Sequence, residues 1–309
     1  MRSLYIAGRM HCGSTFISVL LGAGHDAFAA GELINGLKRG RREPCACQRA
    51  LEECEVWSAV AAEYGRRTGR DLFDDAQWLY EQGGIRQFRR ARAARGSGLP
   101  WSTYLARQRD ILAAIGAVTG AAVGVDSGKE FTRALLTLFS DPDAKVIHLV
   151  RKPVSIVGSY YWRQARGSQF HFNKRSYDVG MLRFPALMLV AASWNVGVVA
   201  GYLLERAAPG RVLHVSYEAF CADPEKELRR IGEFAGLDLA PAIEKVAAGA
   251  ALPLGHSLAG NDEIKTDDGT FTFVPNVSGR RKLPWIYRAG ASVLSAPGRV
   301  FRSLALRSG

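Results

Sequence analysis

Near the start of the chain, Gly8-Arg9-Met10-His11-Cys12-Gly13-Ser14-Thr15 has the glycine spacing of a loop that wraps a phosphate, with Ser14 where such a loop carries its lysine. Glycines let a backbone curl close to an anion. The amides of Gly13, Ser14 and Thr15, together with the dipole of a following helix, would point at that anion and stabilise it by up to ~2 kcal/mol. A nucleotide triphosphatase uses the loop lysine to bridge the β and γ phosphates while a hydroxyl holds Mg²⁺. Without that lysine the loop argues against ATP or GTP hydrolysis. The same residues also suit a strand-to-helix turn that binds nothing.

Two further cationic positions could complete an anion site. Lys129 closes Asp126-Ser127-Gly128-Lys129 just past an apolar run, and could supply from a distance the charge that the loop lacks. Arg151 ends a second apolar run, and its rigid fork suits a second phosphate, with Ser159 two helical turns on as a hydroxyl donor. Lys129 could equally be a solvated first-turn residue, and Arg151 a cap on the sheet.

These residues need elements to hold them. Residues 3–7, 121–125, 145–150 and 211–215 are short and apolar, as strands are, while 101–118, 131–139, 154–163 and 181–206 have helical spacing. Alternation of that kind gives an α/β fold with a parallel sheet and crossover helices. Residues 36–43, 95–100, 167–177 and 255–269 read as loops. Open α/β sheets bind ligands at the carboxyl ends of their strands, so the residues following 7, 125, 150 and 215 should converge.

Composition sets the chemical class. The 309 residues are 48% hydrophobic and 23% charged, enough for a sizeable core, and the formal charge of +12 favours anionic partners. No run of 18 apolar residues and no signal peptide is evident, so a cytoplasmic location is expected. Of five cysteines, Cys45, Cys47 and Cys54 cluster while Cys12 and Cys221 stand apart. The clustered spacing offers three zinc ligands, and a fourth would have to come from His11, Cys12 or another distant residue. Reduced thiols in a turn, or a stray disulfide, are the alternatives, and no metal is expected at the active site.

With these residues in view, the sequence resembles the sulfotransferases that depend on 3′-phosphoadenylyl sulfate (PAPS). His11-Cys12-Gly13-Ser14-Thr15 falls on their 5′-phosphosulfate loop, R-S-G-S/T-T, with His11 in place of Arg and Cys12 in place of Ser. Arg151-Lys152-Pro153 with Ser159 falls on their 3′-phosphate motif, with Lys152 in place of Asp. Gly31-Glu32-Leu33, Asp126 to Lys129, Tyr217-Glu218 and the polar stretch from His256 to Lys265 also match, and the cysteine-rich stretch 45–57 looks like a segment of one bacterial subgroup. The resemblance spans residues 3 to about 285. It implies a P-loop-like three-layer α/β sandwich, with a central parallel sheet flanked by helices. A single domain over 1–309 is expected, with a helical and loop insertion at about 36–120 and a basic tail at about 285–309.

The resemblance also assigns roles. PAPS is the expected cosubstrate, and its 5′-phosphosulfate contains no γ-phosphate for a lysine to grip and requires no Mg²⁺. Lys129 would stabilise the leaving bridging oxygen, aided by His11 and the loop amides, and Glu32 would be the base that deprotonates the acceptor, with His11 and His256 as fallback bases. Cys12, Gly13, Ser14, Thr15, Arg151 and Ser159 would hold the phosphates, Tyr217 would meet the adenine, and Lys282 of the Arg280-Arg281-Lys282 run would make a late phosphate or adenine contact.

The acceptor is expected to be a carbohydrate, a lipid-linked molecule or a small molecule, with no nucleic acid as partner. The basic run 86–92 with Arg95, and the aromatic and cationic residues of 160–175, suit a sugar, a phenol or an acidic head group, or are solvated surface. The apolar and basic segment from Trp285 suggests peripheral contact with the inner face of a membrane, although Pro297 and Gly298 interrupt any single amphipathic helix. Two other classes stay in view: a nucleotide kinase with its loop lysine displaced, and a nonenzymatic basic module that binds nucleic acid or membrane. The sequence leaves the oligomeric state open.

Overall fold

The computed structural model of the chain describes residues 1–84, 99–165, 170–172, 175–177, 182–260, 269–274 and 283–305. Its strands are β1 (Arg2–Gly8), β2 (Ala27–Gly31), β3 (Val123–Lys129), β4 (Lys145–Val150), β5 (Phe170–Phe172), β6 (Arg175–Tyr177), β7 (Val212–Ser216), β8 (Ala251–Pro253) and β9 (Thr270–Thr272). The helices are α1 (Ser14–Gly22), α2 (Leu33–Leu37), α3 (Glu55–Thr68), α4 (Leu72–Gln82), α5 (Leu99–Thr119), α6 (Phe131–Ser140) and α7 (Pro153–Ala165). They continue with α8 (Arg183–Ala207), α9 (Tyr217–Ala222), α10 (Pro224–Ala235), α11 (Ala240–Ala247), α12 (Trp285–Leu294) and α13 (Ala296–Ala305).

Five strands pair in parallel in the order β2-β3-β1-β4-β7, and two short antiparallel hairpins, β5-β6 and β8-β9, lie outside that sheet. Alternate residues of each strand face opposite sides, and the side chains sort accordingly. Leu4, Ile6, Val125, Ile147, Leu149, Leu213 and Val215 pack on α1, α9 and α10 through Phe16, Ile17, Leu20, Phe220 and Ile231. Tyr5, Ala7, Val146 and Val212 face the other way, against Ala134 and Leu138 of α6 and Leu204 of α8. The result is the expected sheet between two helical layers.

Helices α3, α4 and α5 build a separate apolar cluster around Trp57, Tyr64, Leu79 and Ile115. Within it the buried Asp75 carboxylate binds Arg70 and Arg107, each at 2.6 Å, so a charge that could not be buried alone is neutralised twice.

Several boundaries differ from the sequence reading. Between α1 and Glu32 the chain adds the edge strand β2, whose Ala-Phe-Ala-Ala-Gly sequence has weak intrinsic strand preference and is held by its register on β3. Strand β3 runs on to Lys129 rather than ending at Val125, which makes Lys129 the last strand residue. Helix α2 occupies the start of the segment read as a loop from 36. Helix α8 is long and apolar enough to cross a membrane by length and composition, which the sequence reading did not anticipate. Leu187, Val190, Trp194 and Val198 on one of its faces are nonetheless buried in the protein. The C-terminal segment forms two helices broken at Ser295, with Pro297 in the first turn of α13, where its missing N–H costs nothing. Trp285, Val293 and Val300 of these helices are exposed.

Candidate active site

The loop between β1 and α1 supplies backbone donors. Gly13, at φ 98°, stands at the start of α1 in the left-handed region and offers no side-chain cap to the first-turn amides. His11 is also left-handed, at φ 61°. A Cβ on Gly13 would lie 2.4 Å from the Tyr217 ring, so Tyr217, at the start of α9, is packed directly against the loop. Cys12 is fully buried, and burial pushes its thiol above the ordinary cysteine range. Its side chain is therefore a packing group, and its backbone N–H closes the turn by donating to the Arg9 carbonyl at 3.1 Å.

Pairing of β1 with β4 places Gly8 beside Leu149 and delivers Arg151 to the same loop. Its Nη1 donates to the His11 carbonyl at 2.8 Å, and its guanidinium lies 4.3 Å from the centre of the Tyr217 ring. Trp194 of α8 donates to the Arg151 carbonyl at 2.9 Å, fixing the backbone there. The Arg151 Nε is buried with no hydrogen-bond partner among the described residues, an unsatisfied donor that an anionic ligand could meet. The His11 ring stands edge-on to Tyr160, centroids 4.4 Å apart. Ser159, one residue earlier on α7, is half-buried, as is Thr15, while Ser14 is buried.

On the other flank of β1, register pairs Ala7 with Lys129. The Lys129 ammonium donates to Glu32 Oε1, and Asn35 Nδ2 donates to Oε2 at 2.9 Å. The Glu32 backbone N–H donates to the Leu258 carbonyl at 2.9 Å, which ties the end of β2 to a distant loop. Both side chains are largely buried, 17% exposed for Glu32 and 18% for Lys129. Burial alone would raise the Glu32 carboxyl, but the Lys129 charge and the hydrogen bonds from Lys129 and Asn35 outweigh it and hold the group below the ordinary carboxylate range. Glu32 is thus ionised, the state a base requires, although pairing with Lys129 weakens its basicity. A base that works near neutrality is best served by a raised pKa, and the pairing with Lys129 gives the opposite.

Asp126 is a site residue that the sequence reading named only as part of a motif. Its Oδ1 accepts from Leu33 N–H at 3.3 Å and Gly128 N–H at 2.9 Å, so one carboxyl braces both the Glu32 turn and the Lys129 strand end. Burial, only partly offset by the Arg133 charge, pushes it up to about 7. A carboxyl raised by folding stabilises the fold fully below its unfolded pKa, and that stability fades as pH rises from ~4 through the folded value. Unfolding stability should therefore fall by on the order of 4 kcal/mol between pH 4 and 8 through this group. Urea titrations across that range should show the slope flattening in Asp126→Asn. An unaltered slope in that variant assigns the pH dependence elsewhere.

Near the end of β7, Glu218 accepts from the Lys152 backbone N–H at 2.8 Å, and Arg302 of α13 reaches Glu218 at 3.8 Å. Asn35 escaped the sequence reading, and Arg302 entered it only as part of the basic C-terminal tail. The Glu32-to-Asn35 spacing on one helical turn was a usable signal for the first, whereas nothing local marks the second. Lys282 lies outside the described residues, as do the basic run 86–92, Arg95, and residues 261–268 of the segment that follows His256. His256 itself sits with Cys45, Cys47 and Cys54, and among the described residues these four are the only group of three or more side chains able to share a metal ion.

Loop amides, a delivered arginine and a lysine–carboxylate pair, all at the carboxyl ends of adjacent parallel strands, define a protein built to hold an anion beside a reactive group. The sequence profile of the sulfotransferase family matches residues 3–241, and the chain belongs to that family, whose members are transferases. No curated protein sequence matches the chain. Among solved structures, the sulfotransferase domain of the curacin biosynthetic pathway is 14% identical, with 96% of this chain and 97% of that one covered and a TM-score of 0.50. The sulfotransferase domain of the Synechococcus PCC 7002 olefin synthase is 16% identical over 97% of this chain and 94% of that one, with a TM-score of 0.48. A sulfotransferase from Alicyclobacillus acidocaldarius is 14% identical over 99% and 96%, with a TM-score of 0.48. At 14% identity and a TM-score of 0.50, the likeness to the curacin-pathway domain is one of fold alone.

Proposed function

We propose that the chain transfers a sulfuryl group from PAPS to a hydroxyl or amine of a carbohydrate, lipid-linked or small-molecule acceptor. The observation that carries this reading is the direct contact of Arg151 with the His11 carbonyl, which joins the turn after β1 to the residue after β4. In this reading the uncapped amides of α1 receive the 5′-phosphosulfate and Arg151 and Ser159 the 3′-phosphate.

The acceptor oxygen or nitrogen attacks sulfur, the bond from sulfur to the bridging oxygen breaks, and adenosine 3′,5′-bisphosphate leaves. The acceptor proton passes to Glu32. Lys129 is the cation placed to meet the charge that grows on the bridging oxygen. As Lys129 turns to the donor, Glu32 loses the partner that depresses its pKa and becomes a stronger base at the moment when the acceptor proton must move. Lysine and carboxylate hold each other in place until the substrate separates them. No step in this scheme routes through a metal ion.

A transfer assay with labelled PAPS and a panel of acceptors tests the reading: label should appear on an acceptor together with adenosine 3′,5′-bisphosphate. Labelled PAPS that yields no product with any acceptor class counts against it. Arg151→Ala should weaken adenosine 3′,5′-bisphosphate binding by about 10- to 100-fold, from the loss of a charge-assisted contact of ~1.5–3 kcal/mol. Titration calorimetry reads this directly, and unchanged affinity removes Arg151 from the nucleotide site.

A further inference from the structure

Three thiols and one imidazole, drawn from distant parts of the sequence, meet in one place. The ligand atoms of Cys45, Cys47, Cys54 and His256 all lie within 4.8 Å of one another. The Nδ1 of His256 is 3.2 Å from the Cys54 sulfur and 3.9 Å from that of Cys45, although 202 and 211 residues separate them in sequence. In a tetrahedral zinc site with Zn–S near 2.3 Å, neighbouring ligand atoms stand about 3.5–3.8 Å apart, so the cluster is already near that spacing.

The surroundings fit the same geometry. The Cys45-to-Cys47 turn is closed by the Gln48 N–H donating to the Cys45 carbonyl at 3.0 Å, with Gln48 left-handed at φ 68°. Cys54 is the N-cap of α3 and makes no side-chain cap, which leaves its sulfur uncommitted to the helix amides. His256 turns Nδ1 to the sulfurs, while its Nε2 lies 3.6 Å from the Glu55 carboxylate. A carboxylate behind the far ring nitrogen is how metal-binding histidines are commonly oriented. Trp57 Nε1 donates to the His256 carbonyl at 2.7 Å and holds its backbone.

We propose that Cys45, Cys47, Cys54 and His256 Nδ1 bind one zinc ion in a closed, structural site. Four protein ligands leave no open position for substrate, so the ion is a staple rather than a catalyst. Binding replaces the thiol protons with Zn–S bonds and releases those protons to solvent. The staple acts next to the reactive pair. Cys45 bridges to Leu258, and Leu258 in turn accepts from the Glu32 N–H and bridges to Gly31. Zinc would thus pin the 256–258 segment against the end of β2.

The full chain, purified under reducing conditions without chelator, should carry about one zinc per chain by mass spectrometry of its metal content. Exchange into Co²⁺ should produce a sulfur-to-cobalt charge-transfer band and the intense visible bands of tetrahedral cobalt. Cys47→Ser, at a half-buried position, should lose zinc and the charge-transfer band, and His256→Ala provides a second variant should the first fold poorly. Glu55→Gln, at a side chain 76% exposed, should keep the fold and give up zinc to a competing chelator up to ~10-fold more readily. A reduced chain that neither carries zinc nor develops the cobalt–thiolate band overturns the proposal, as does undiminished zinc content in both Cys47→Ser and His256→Ala. These readouts are independent of sulfuryl transfer.

Discussion

Lys129→Ala should lower kcat by about 10²- to 10³-fold, the loss that follows removal of one preorganised group at a developing negative charge. The same substitution has a second effect that a merely structural lysine would not produce. Glu32 is held below the ordinary carboxylate range chiefly because Lys129 opposes the effect of its burial. With Lys129 gone, burial dominates and the carboxyl moves up. The base works only when deprotonated, so the acid limb of the kcat/KM profile, which reports the free enzyme where the two groups are paired, should move to higher pH in the variant, and the residual rate should recover as pH is raised. A pH–rate series measures both. Unchanged kcat, or an acid limb that stays where it was, would remove Lys129 from the reaction.

Glu32→Gln should reduce kcat by about 10²- to 10⁴-fold, the range for loss of a positioned general base, while adenosine 3′,5′-bisphosphate affinity stays nearly constant. The amide keeps the carboxylate's shape and can still accept from Asn35, but it takes up no acceptor proton. It also leaves the Lys129 ammonium, 18% exposed, without its charged partner, so thermal stability should drop modestly. Steady-state kinetics with saturating donor separate the effects: kcat falls and donor KM holds. A variant that keeps the parent rate would return the base role to His11 or another group.

The strand, turn and helix at the start of the chain were legible because their signal is local. Glycine spacing, an apolar strand before it and helical periodicity after it all fall within residues 3–21, and the uncapped left-handed Gly13 at the start of α1 is what such a pattern gives. Strands β1, β4 and β7 were legible for a similar reason, being continuous runs of apolar and β-branched residues. Strand β2 was not, because five mostly small residues become a strand only through a register with β3 across about a hundred intervening residues. The lysine–carboxylate pair divides the same way. Each partner could be singled out by its motif, but their ion pair spans 97 residues and follows from the order β2-β3-β1, which no local pattern encodes. His256 next to the three thiols is the extreme case: the spacing of the cysteines asked for a fourth ligand, and only the folded chain supplies one.

The central claim is that one adenylate with two separate anionic groups spans the turn after β1 and the arginine after β4. Titration of the chain with adenosine 3′,5′-bisphosphate, in buffer without added divalent cation, tests it most directly, with Mg-ATP and adenosine 5′-monophosphate as parallel ligands. The account predicts saturable one-to-one binding of the bisphosphate, clearly tighter than either parallel ligand. Binding of Mg-ATP in preference to the bisphosphate, or no binding of any of the three, would contradict it.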